Sequence, residues 1–202
     1  MSQLLVQLAE AARASYPGEQ DVLTAQYLET CRGLLPIVDK FGTGFTLIRS
    51  DIGGNVDRLA AAYGKDNAKF RDIFAIVLEE VQRGEQEGKH SETNALLWLK
   101  RASDFIVALL HRLHDDSQVS LSTAASDAYY TTLYNHHTWY TSAAFVVVLK
   151  LVPSRDTFFQ AIGTPGQQMQ QDLHTLLEAY EPLLARIQKF LTDHDLDFSI
   201  NV

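Results

Sequence analysis

The chain has 202 residues, 46% hydrophobic and 21% charged, a globular composition too apolar for intrinsic disorder and a length that one domain over residues 1–202 accounts for. Seventeen Lys and Arg against 25 Asp and Glu leave a formal net charge of −8 with no basic run to offset it, so an extended phosphate-tracking groove is excluded and no nucleic-acid partner is expected. The lone Cys31 allows neither an internal disulfide nor a thiolate metal cluster. The start lacks a basic region ahead of its apolar residues, and no apolar run approaches the roughly 20 residues of a membrane span, so a cytoplasmic location is expected.

Between five prolines and eleven glycines the apolar residues recur at three- and four-residue steps, which predicts an all-helical protein. Helices are predicted over about 2–15, 21–39, 45–63, 68–87 and 92–114, separated by Pro17-Gly18, Gly42 to Gly44, Gly64 to Asn67 and Gly88 to Ser91. One long segment, about 119–151, follows and ends at Val152-Pro153-Ser154. Within it Phe145 to Leu149 has strand propensity and no polar face; it is assigned to a helix in a central layer, where apolar residues all round would be needed. A short helix near 155–162 precedes a long last one, with Thr164 as N-cap and Pro165 at its first position. Its stripe runs Leu173, Leu176, Leu177, Tyr180, Leu183, Leu184, Ile187, Phe190 and Leu191, and Pro182 is expected to kink it.

Three groups of residues could carry chemistry. Asp51, Asn55 and Arg58, spaced i, i+4, i+7, stack an acceptor, a mixed amide and a fork of donors on one helix face. An exposed ion pair would explain them too, but the intervening Gly53-Gly54 costs about 1 kcal/mol per glycine relative to alanine and suggests close approach of a ligand or a second backbone. Trp98 lies beside Lys100 and Arg101 and is either a core tryptophan or a stacking platform. His136 and His137 would point about 100° apart on a helix, so at most one of them faces a given site. Glu87-Gly-Lys-His90 has a metal-ligand spacing but lies in a glycine-bearing loop, and His111 and His114 fit a polar helix end. No phosphate loop, nucleophile elbow or zinc-protease motif occurs, so no metal, no cofactor and no enzyme are expected.

Taken in chain order, these groups resemble the glycolipid transfer protein family. Its Asp-x-x-x-Asn-x-x-Lys pattern is matched by Asp51, Asn55 and Arg58, its Trp-Leu-Lys-Arg stretch by Trp98 to Arg101, its His-x-Trp by His137-Thr138-Trp139, and its Pro-x-x-x-x-Phe turn by Pro153 to Phe158. The resemblance runs from about Leu28 to Val202. It implies a two-layer helical sandwich of about eight helices enclosing a lipid cavity, and a monomer that carries or senses glycosphingolipids while touching membranes transiently. In that family the tryptophan carries the sugar, the Asp, Asn and Lys positions bond its hydroxyls, and Asp and His grip the ceramide amide. The corresponding head-group residues here are Asp51, Asn55, Arg58, Trp98 and His137. The implied chain pocket is Ile37, Val38, Phe45, Ile48, Phe105, Leu133, Phe145, Val148 and Leu149, and Trp139 and Tyr140 are the expected membrane contacts. Arg58 replaces the usual Lys, keeping the charge but exchanging a point donor for a planar fork. A ceramide-1-phosphate carrier of the same fold and a helical protein-interaction scaffold are the alternatives; Trp98 favours sugar over phosphate.

Overall fold

Side-chain caps and short backbone pairings decide where the helices begin. The computed structural model describes residues 4–18 and 21–198. It contains α1 (Leu4–Ser15), α2 (Thr24–Asp39), α3 (Thr46–Lys65), α4 (Ile73–Arg83), α5 (Glu92–Asp115), α6 (Leu121–Thr132), α7 (Trp139–Val148), α8 (Arg155–Ile162) and α9 (Gln167–Asp193), with 3-10 turns at Thr43–Phe45 and Tyr134–His136. Residues 2 and 3 of the predicted first helix, and 199–202 of the predicted resemblance, lie outside the described residues.

Two predicted starts move by several residues for one reason. Thr24 N–H donates to Arg71 O at 2.8 Å and Ile73 N–H to Val22 O at 2.9 Å, with an antiparallel bridge between Leu23 and Asp72. Backbone groups at 22–24 and 71–73 thus satisfy each other, so α2 starts at Thr24 rather than 21 and α4 at Ile73 rather than 68. Gly84, at φ +71°, ends α4 earlier than expected, its N–H turning back to Val81 O at 3.0 Å. At the far end α9 is capped by Gly166, φ +96°, instead of Thr164, and then runs unbroken through Pro182.

The expected single segment 119–151 divides. Ser120 caps α6 and Thr138 caps α7, and between them His137 is extended at φ −99°, ψ 142°. Adjacent His136 and His137 therefore do not obey the helical 100° relation. The expected central helix is also corrected: α7 buries only Phe145, while Trp139 and Tyr140 are 80% and 73% exposed. A segment without a polar face can lie in a core or at an apolar surface, and periodicity does not distinguish them.

In the body of the protein, α1 joins α2 to α9 and α5 joins α3 to α6, and these two layers meet where α2 packs on α3 and α5 on α9. The central α5 is fixed at its start by two caps. Ser91 Oγ accepts from Asn94 N–H at 2.9 Å, and buried Glu80 of α4 accepts from Glu92 N–H, Thr93 N–H and Thr93 Oγ1 at 2.8, 2.7 and 2.6 Å. At its other end Arg155 of α8 donates to Leu113, Asp116 and Val119 carbonyls at 2.6 to 3.1 Å. Both ends of the helix that bears Trp98 are thus tied to neighbouring elements. No helix among the described residues is long and apolar enough to cross a membrane.

Candidate functional site

The i, i+4, i+7 row on α3 forms as expected. Asn55 Nδ2 donates to Asp51 Oδ2 at 3.3 Å, and Arg58 Nη1 donates to Asn55 Oδ1 at 3.0 Å. Arg58 Nη2 also lies 3.5 Å from His90 Nδ1 in the loop before α5. Asp51 retains solvent contact, yet desolvation by the surrounding protein raises its carboxyl above the ordinary value, against the pull of Arg58 and Asn55. Nothing lies within 4 Å of where a Cβ on Gly53 or Gly54 would stand, so no second backbone approaches them. That face is open.

Trp98 is 7% exposed, one face of α5 buried against its neighbours. Its ring stacks on His137, centroids 6.0 Å apart and planes 19° apart, and the Arg101 guanidinium carbon lies 5.3 Å from its centre. His137 Nδ1 is 3.1 Å from the Tyr129 hydroxyl, which also bonds the Ser142 side chain. With Tyr129 donating to Nδ1, the histidine proton sits on Nε2. Burial, helped by His136, pushes His137 down to about 4, so its ring is neutral at pH 7.

From His137 a run of rings enters the core. Phe145 lies 5.4 Å from His137, 4.5 Å from Tyr129, 5.8 Å from Phe105 and 6.3 Å from Phe45. Phe45 stacks on Phe41, and Phe41 on Phe158, each at 4.9 Å. Of the nine expected lining residues, Ile37, Val38, Phe45, Phe105, Leu133, Phe145 and Leu149 belong to this buried core, and Ile48 and Val148 pack on its edge. Val148 sits close to Gly44, where a Cβ would come within 3.1 Å of it. The α3 row and the Trp98–His137 stack are separate clusters, linked by the packing of α3 on α5.

Several site features were not anticipated. Tyr129 as the partner of His137 comes from α6, eight residues away across a chain break in helicity. Exposed Leu47, Val147 and Leu151, 82%, 58% and 67% accessible, join Trp139 and Tyr140 as unburied apolar side chains. Leu47 has only Thr43, Gly44, Ser50 and Asp51 at helical spacing, whereas Val147 and Leu151 share a stripe and nothing in the sequence sets them apart from core residues. No group of three or more His, Cys, Asp or Glu among the described residues could hold a metal ion.

The Glycolipid transfer protein (GLTP) family model matches residues 22–164. Glycolipid transfer protein 1 of Arabidopsis thaliana is 38% identical over 177 residues, covering 88% of this chain and 87% of its own length. Among solved structures, that of FAPP2, which selects simple glycosphingolipids using the GLTP fold, superposes with a TM-score of 0.83 at 31% identity, over 90% of each chain. The apo form of mouse ceramide-1-phosphate transfer protein gives 0.90 at 24% identity, covering 97% of this chain and 98% of that one. By architecture the chain is therefore a GLTP-fold protein, an all-α two-layer sandwich. By sequence it belongs to the glycolipid transfer protein family, as its motifs imply.

Proposed function

We propose that the protein binds a glycosphingolipid and carries it between membranes without chemical change to the lipid. The observation that carries this reading is the run of rings from Trp98 and His137 through Phe145 to Phe45 and Phe158, which joins a polar site to the apolar core. A two-part site of this kind suits an amphiphile.

At the polar end the residues divide the head group between them. Asp51 accepts from the ceramide amide N–H and a sugar hydroxyl, Asn55 and Arg58 bond further hydroxyls, and the Nε2–H of neutral His137 donates to the amide oxygen. Trp98 offers its face to the C–H surface of the sugar, an interaction a phosphate would not use. The ceramide chains part the rings among Ile37, Val38, Phe45, Ile48, Phe105, Leu133, Phe145, Val148 and Leu149. Sheltering them is the energetic purpose of the fold, since each methylene left in water costs about 0.8 kcal/mol. Trp139 and Tyr140, with Leu47, Val147 and Leu151, form the face that meets the bilayer interface, where amphipathic rings are favoured. The protein acts as a monomer in the cytoplasm, peripheral at membranes, with no nucleic-acid partner.

The test is transfer of a monoglycosyl ceramide between vesicles, together with mass spectrometry of lipids extracted from the protein. Wild type transfers the glycolipid and Asp51→Val loses most of that activity, because an amide and a hydroxyl lose a charged acceptor. Transfer of ceramide phosphate in preference to the glycolipid would overturn the reading.

A further inference from the structure

His137 meets its surroundings largely through rings, and ring contacts do not decide which of its nitrogens faces a ligand. It stacks on Trp98, centroids 6.0 Å apart and planes 19° apart, and lies 5.4 Å from Phe145. Turning the imidazole half a revolution about its Cβ–Cγ bond leaves such contacts almost unchanged, while it exchanges Nδ1 with Cδ2 and Nε2 with Cε1. Neutral at pH 7, the ring can also carry its one proton on either nitrogen. No helix constrains the residue either, since it is extended between the 3-10 turn and α7, with its N–H on Tyr134 O at 3.3 Å.

The Tyr129 hydroxyl, 3.1 Å from Nδ1, removes both ambiguities. In a turned ring it would face Cδ2–H, which accepts no hydrogen bond. A phenol O–H is a stronger donor than an imidazole N–H, and a bare imidazole nitrogen a stronger acceptor than a phenol oxygen, so Tyr129 donates and the proton of His137 goes to Nε2. The Ser142 side chain, in the first turn of α7, bonds the same hydroxyl, and with the Tyr129 proton committed to Nδ1 it does so as donor.

Tyr129 is itself held from several sides. It is 0% exposed, its ring stacks on Phe145 at 4.5 Å with planes 15° apart, and the rings of Tyr130 and Tyr134 lie 5.5 and 5.9 Å away. A side chain packed in this way fixes where its hydroxyl stands, and through it the histidine.

We infer that Tyr129 is a positioning residue of the head-group site, locking the ring orientation and tautomer of His137 so that Nε2–H is the donor offered to the acyl carbonyl of the lipid. This rests on the glycosphingolipid reading above. Nitrogen-15 NMR of histidine-labelled wild type shows His137 protonated on Nε2 alone at pH 7. In Tyr129→Phe, which keeps the ring and removes the hydroxyl, the proton is spread over both nitrogens. By calorimetry with a short-chain monoglycosyl ceramide, Tyr129→Phe weakens binding about threefold to tenfold, the worth of one well-placed hydrogen bond. In a His137→Leu background the same change has no effect, whereas a merely structural role would weaken both backgrounds alike. Equal losses in the two backgrounds, wild-type affinity in Tyr129→Phe, or a wild-type proton on Nδ1 each overturn the inference. Thermal melting accompanies the variants, and the tautomer decides the matter if Tyr129→Phe does not fold or His137→Leu binds too weakly to measure. A wild type that binds no monoglycosyl ceramide overturns the glycosphingolipid reading and this inference with it; wild-type affinity in Tyr129→Phe removes this inference alone.

Discussion

Removing Trp139 tests the membrane face with almost no cost to the fold. The residue is 80% exposed, and its ring lies against that of the neighbouring Tyr140, centroids 5.1 Å apart. A tryptophan presents on the order of 200 Å², so about 160 Å² of it faces solvent and would be worth about 4 kcal/mol if wholly transferred to an apolar phase at 25 cal/mol per Å². An interfacial ring is only partly withdrawn from water, so about half of that, roughly 2 kcal/mol or some thirtyfold in membrane affinity, is the expected loss for Trp139→Ala. Stability should change by no more than about 0.5 kcal/mol, as for other surface substitutions. The assay is partition of the protein onto zwitterionic vesicles with glycolipid transfer measured in parallel, and thermal melting as control. Leu47→Ala, also on an exposed side chain, should weaken partition in the same direction. Unaltered partition and transfer in a folded Trp139→Ala protein would refute the assignment of this face to the membrane.

Trp98→Ala should both abolish sugar binding and destabilise the protein by about 3–5 kcal/mol, lowering the melting midpoint by about 10 °C; an unchanged midpoint by circular dichroism would contradict its burial. With a net charge of −8, transfer from zwitterionic vesicles should slow when anionic lipid is added at low salt and partly recover at higher salt. The Arg155 guanidinium is tied to three backbone carbonyls and so is not free to reach a lipid phosphate, and Arg49 is paired with Asp39 at 2.7 Å. A rate that rises with anionic lipid and falls with salt would show that local cations such as Lys150 govern docking. His137 near 4 lies below the ~6.5 of an unfolded histidine, so the unfolded chain binds more protons between those values and stability falls as pH drops through that window, by up to roughly 3 kcal/mol. Asp51, raised in the fold, contributes with the opposite sign, so the measurement is the difference between wild type and His137→Gln in denaturant titrations; parallel profiles would argue against a buried neutral ring. Glu80→Ala should cost about 2–4 kcal/mol by leaving three donors at the start of α5 without an acceptor, read by urea unfolding, and a loss below about 0.5 kcal/mol would remove Glu80 as a cap.

What the sequence determined is local. The three- and four-residue apolar period identified the helical class and most helices, because a helix repeats its faces within one turn. The same geometry placed Asp51, Asn55 and Arg58 in contact before any fold was known. Family motifs added Trp98 and His137, which no spacing within the chain could have brought together. Tertiary structure decided the rest through contacts between distant segments. The starts of α2 and α4 depend on backbone bonds between residues about fifty apart, and the break between α6 and α7 is fastened by the Tyr129–His137 contact. Whether apolar α7 is core or surface depends on which neighbours reach it, and of its residues only Phe145 is fully buried. Arg101 Nε and Nη1, buried without a hydrogen-bond partner, were invisible for the same reason. A polar side chain becomes an unsatisfied one only when other parts of the chain exclude water from it, as the segment around Asp197 and Phe198 does over Arg101.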